Sequence, residues 1–98
     1  MKASWNGQII AQSDDTIVIE GNHYFPKSSL KQQFFEDSSL NTTCPWKGKA
    51  YYSNVVVNNK KNESSAWYYP QPKADAIKIV GKDFSDYVAF WKGIIISE

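Results

Sequence analysis

The sequence contains no arginine: its eleven basic side chains are all lysine, set against ten acidic residues for a net charge of +1. The planar guanidinium fork is the usual bidentate reader of phosphate, so its absence argues against dedicated phosphate chemistry and against nucleic acid as a partner. Cysteine and histidine are almost as scarce, with one of each, Cys44 and His23. An internal disulfide is thereby excluded, as are the four Cys/His ligands of structural zinc, and neither a metal nor a cofactor is expected. No apolar run approaches the roughly 20 residues of a membrane-spanning helix, and the opening segment Met1-Lys2-Ala3-Ser4-Trp5-Asn6 has no signal-peptide core. The expectation is a cytoplasmic chain with no membrane partner.

What is abundant is aromatic and β-branched. Four tryptophans, six tyrosines and five phenylalanines stand among 98 residues that are 42% hydrophobic, enough apolar bulk for one domain to fold on packing alone. Trp-x-Gly occurs three times, at Trp5-Asn6-Gly7, Trp46-Lys47-Gly48 and Trp91-Lys92-Gly93. After the first two copies the order repeats as strand, turn, aromatic pair and proline, ending in Tyr24-Phe25-Pro26 and Tyr68-Tyr69-Pro70. This pattern reads as a duplicated β-meander with halves of about 5–45 and 46–98, the third copy opening a last strand over 94–96. Further strands are expected at 4–12, 16–20, 42–44, 48–52, 54–57, 66–69, 76–79 and 87–91. Helix is expected only over 29–35, where Leu30 and Phe34 are one turn apart, with a short turn over 73–76 after Pro72.

Four blocks in order, Glu20-Gly21-Asn22-His23-Tyr24-Phe25-Pro26, Thr43-Cys44-Pro45-Trp46-Lys47-Gly48, Ala66-Trp67-Tyr68-Tyr69-Pro70 and Tyr87-Val88-Ala89-Phe90, resemble the domain of unknown function 427 family over nearly the whole chain. The resemblance implies a mostly β, β-tent-like fold: two small antiparallel sheets meeting at a steep angle, with one or two short helices, as in the thalidomide-binding domain of cereblon. Many β-tent relatives hold zinc with paired Cys-x-x-Cys motifs, which a single cysteine cannot supply. Some family members carry a nucleotidyltransferase label, but the sequence has no glycine-rich phosphate loop and no Asp-x-Asp pair.

The candidate site residues fall in these blocks. Trp46, Trp67, Tyr24, Tyr69 and Phe90 are rings that either fill the core or converge on a cleft, where they would stack on flat rings and attract cations. Glu20, Lys47, Cys44 and His23 are the polar groups beside them. One expectation is a small-molecule binding module with an aromatic-walled cleft and a flat or cationic ligand. The alternative is an enzyme on a small substrate, with Cys44 or Lys47 as nucleophile and His23 or Glu20 moving protons. A third is an interaction module that dimerises through an exposed edge strand.

Overall fold

The computed structural model describes residues 1–98. Its elements in chain order are β1 (Lys2–Trp5), β2 (Gln8–Gln12), β3 (Ile17–Ile19), β4 (Asn22–Tyr24), β5 (Phe35–Cys44), β6 (Gly48–Val57), β7 (Lys60–Tyr68), α1 (Ala74–Val80), β8 (Val88–Phe90) and β9 (Ile95–Ser97). Strands β2-β1-β9 form one sheet, β5-β6-β7-β8 a second, and β3-β4 a hairpin. Phe25 and Val88 exchange both backbone hydrogen bonds, at 2.7 and 2.8 Å, which joins that hairpin to the β8 edge of the larger sheet. The result is the expected mostly β architecture of small antiparallel sheets with one helix. No helix is long and apolar enough to cross a membrane.

Turn chemistry sets the strand connections. Asn6-Gly7, Glu20-Gly21 and Asn58-Asn59 link the paired residues Trp5 and Gln8, Ile19 and Asn22, and Val57 and Lys60. Both residues of each turn have positive φ, the type I′ signature whose twist matches that of the flanking strands. The first Trp-x-Gly therefore folds the expected 4–12 strand back on itself as β1 and β2. The third, with Lys92 at φ 56° and Gly93 at 84°, turns the chain from β8 toward β9. Strand β9 then pairs with β1.

Side-chain alternation gives the larger sheet two covered faces. On the first face Val55, Val57, Val88 and Phe90 meet Ala3, Ile10 and Phe25 beneath β1, β2 and β9. The second gathers Tyr24, Ala50, Tyr69, Ala89, Ile17 and Ile19 with Ala76 of α1 and with Phe84.

Two expectations about helix are corrected. Residues 76–79, read as a strand, belong to α1: Asp75 lies in its first turn, Lys78 in its last, and Gly81 caps it at φ 85° with its N–H donating to the Ile77 carbonyl at 2.8 Å. The alternating apolar residues Ile77 and Ile79 imitate a strand, but Ile79 is exposed and Ala76 is buried. In place of the one helix expected over 29–35 there are two separate 3₁₀ turns, Lys27–Ser29 and Gln32–Phe34, with Phe35 already in β5. Between them the Lys31 N–H donates to the Ile10 carbonyl at 2.9 Å, a bond across to β2 that a continuous helix would forfeit.

Candidate functional site

The second Trp-x-Gly is built differently from the other two. Cys44 pairs with Gly48 across β5 and β6, leaving Pro45, Trp46 and Lys47 as the connection. The Lys73 N–H donates to the Lys47 carbonyl at 3.0 Å, and Lys73 Nζ donates to the Pro45 carbonyl at 2.7 Å, fastening this loop to the start of α1. Gly48 has φ +114°, and a Cβ there would meet the Gln71 carbonyl oxygen at 3.4 Å. Only glycine adopts that backbone without strain. Gly48→Ala should therefore lower stability by about 1–3 kcal/mol, measured by urea unfolding, and shift the amide resonances of Trp46 and Lys47 most.

This loop delivers a lysine into the second core face. Lys47 is only 7% exposed. Its ammonium lies 5.1 Å from the ring centre of Trp46 and 5.5 Å from that of Tyr69. It donates to the carboxylate of Glu20, with which it forms an ion pair. Burial alone would lower the Lys47 pKa, but the hydrogen bond to Glu20 and the surrounding charges outweigh it and the net shift is upward. At neutral pH the group is an ammonium.

Glu20 sits at φ 53° in the β3-β4 turn, a left-handed conformation that costs a non-glycine residue about 1 kcal/mol. Its side chain is 54% exposed, against 9% for that of Lys47. The pair thus joins a buried cation to a carboxylate on the protein's surface.

Aromatic rings close in from the sheet. Trp67 Nε1 donates to the Tyr24 hydroxyl at 3.0 Å. Tyr24 meets Trp67 and Phe84 edge-to-face with ring centres 6.1 Å apart in both cases, and Tyr69 meets Phe84 at 5.9 Å. Such contacts contribute roughly 0.5–1.5 kcal/mol each beyond area burial. Burial pushes both phenols up, Tyr69 to about 12, where the neighbouring Tyr24 adds to the effect and Lys47 opposes it. Trp46, Trp67 and Cys44 are half-buried and pack against the same cluster.

Of the candidates, Glu20, Tyr24, Cys44, Trp46, Lys47, Trp67 and Tyr69 are brought together; His23 and Phe90 are not. His23 alternates with Tyr24 along β4 and so faces the other way, its Nδ1 2.9 Å from Thr16 Oγ1. The thiol–imidazole pair considered from the sequence is not assembled. Phe90 turns to the first core face, against Phe25 and Phe35. Sequence reasoning missed two members. Phe84, fully buried between Tyr24 and Tyr69, lies outside the four distinctive blocks. Trp91, 44% exposed and 6.0 Å from Trp67 between ring centres, was visible only as part of the third Trp-x-Gly.

The rings mostly fill space: Tyr24 and Tyr69 are 1% and 4% exposed. The surface recesses lie elsewhere: one of about 380 Å³ beside Asp14, Thr16 and Tyr87, one of about 340 Å³ beside Lys49, Tyr51 and Pro70, and a groove of about 170 Å³ beside Leu30, Phe35 and Tyr68. At Lys47 the ammonium is covered by the Glu20 carboxylate.

The model of the family described as Domain of unknown function (DUF427) matches residues 1–96, so the chain belongs to that family. No curated protein matches it.

Proposed function

We propose that this member of the DUF427 family is a small-molecule binding module whose ligand carries a negative charge and docks at Lys47. The observation that carries this reading is the buried ammonium whose ion-pair partner is an exposed, displaceable carboxylate. Taking an ammonium out of water costs free energy that burying an apolar side chain of similar volume does not, so packing gives no reason for a lysine here. A binding role gives one. The half-buried rings of Trp46 and Trp67 supply stacking surface beside the charge. A cationic ligand is disfavoured, because the rings that would attract it already face the Lys47 ammonium.

Catalysis by Lys47 as an amine nucleophile fits the site poorly, since its raised pKa keeps it protonated. Cys44 has no imidazole to accept its proton once His23 faces away. Binding therefore fits better than turnover.

Lys47→Met is the decisive variant. It leaves Glu20 free to be solvated and fills the same space, so its melting temperature should equal or exceed that of the parent. In a thermal-shift screen of anionic, neutral and cationic metabolites, compounds that stabilise the parent should have no effect on Lys47→Met. Hits confined to cations, or hits that survive the substitution unchanged, would place the ligand elsewhere.

A further inference from the structure

We infer that Glu20 holds the place of the ligand's own acidic group, so that the site takes small organic carboxylates, which bind by displacing the Glu20 side chain from Lys47. This deepens the binding reading above and rests on it. The ammonium lies beside the rings of Trp46 and Tyr69, and its ion-pair partner is the exposed Glu20. What fits there in the free protein is a single carboxylate, reaching in from a turn that is itself exposed.

Charge decides between carboxylate and phosphate. One buried ammonium balances one negative charge. The other lysines of the neighbourhood are engaged elsewhere, Lys73 Nζ on the Pro45 carbonyl and Lys49 Nζ 5.2 Å from the Tyr51 ring centre. A phosphate dianion would carry one charge more than the single Lys47 ammonium balances. A carboxylate exchanges like for like. The half-buried Trp46 beside the ammonium further favours a carboxylate attached to a flat ring, which can stack while its acidic group reaches Lys47.

Because Glu20 competes from within the same chain, it suppresses affinity for an outside carboxylate. Glu20→Gln removes the competing charge but keeps the side chain's shape. Glu20→Asn adds a residue well suited to the positive φ of the turn, which guards against a folding failure. The probes are benzoate, benzyl alcohol and inorganic phosphate, titrated into the full chain labelled with nitrogen-15 while the four indole N–H resonances are followed.

The expected result is saturable benzoate binding seen at the Trp46 indole, about tenfold to a hundredfold tighter in both Glu20 variants than in the parent and lost in Lys47→Met. Benzyl alcohol and phosphate should bind far more weakly. If benzoate binds parent and Glu20 variants equally, or phosphate outcompetes it, the displacement idea is overturned while a Lys47 binding site stands. If none of the three probes moves the Trp46 or Trp67 signals in any folded variant, the binding reading itself falls with it.

Discussion

Phe84→Ala should destabilise the protein by about 3–5 kcal/mol, the usual cost of emptying a buried phenylalanine site. The ring is fully buried and has a tyrosine on either side, Tyr24 at 6.1 Å and Tyr69 at 5.9 Å between centres. Neither can collapse into the space freely, because Tyr24 is tied to Trp67 by a hydrogen bond and Tyr69 is packed against Lys47. For a domain of this size the loss corresponds to a fall in melting temperature of roughly 15 °C or more, readable by circular dichroism. Phe84→Leu, which keeps most of the volume, should cost less than half as much. Equal melting temperatures for parent and Phe84→Ala would show that the 82–87 segment does not close the second face.

Alkaline pH should weaken the fold through the same cluster. The Tyr69 phenol rises from an ordinary value of 10.0 to about 12 in the folded state. Between those values the unfolded chain has lost the phenolic proton and the folded chain still holds it, so unfolding releases a proton and stability falls as pH rises through the window. Tyr69 alone should account for up to roughly 2 kcal/mol of that loss once screening by solvent is allowed for. Tyr24 and Lys47 shift upward too, and each adds slope of the same sign. Tyr69→Phe preserves the ring contact with Phe84 and removes the titrating group. Its urea-unfolding free energy should decline less steeply than the parent's between pH 10 and 12. Parallel declines would mean that the phenol is ordinarily solvated.

Much of this arrangement was legible in the residues themselves, and the remainder fails for identifiable reasons. Strand β6 was read as two pieces, 48–52 and 54–57; Ser53 between them is paired on both sides, with Asp37 and Ala66, and the register shifts beside it without ending the strand. The helix was taken for a strand because Ile77 and Ile79 alternate; what decides the matter is that Ala76 packs against the second face, a contact made by residues distant in sequence. At the site, Trp46, Lys47, Glu20 and Tyr24 could be named because each stands in a short distinctive block. Whether His23 joins them depends on strand register, and one residue along β4 reverses the face. The cation that satisfies the rings also proved to be internal. A list of aromatic residues cannot say which charge they already hold.

The pairing of β1 with β9 has a bearing on how the chain comes to be folded. Lys2 lies opposite Ser97 and Ser4 opposite Ile95, so the smaller sheet unites residues from the two extremes of the sequence. During synthesis, Ala3 and the rest of β1 wait without the strand that flanks them until residues 95–97 have left the ribosome. Contacts of such long range make for slow folding, and the nascent chain meanwhile presents an unfinished apolar edge that favours self-association.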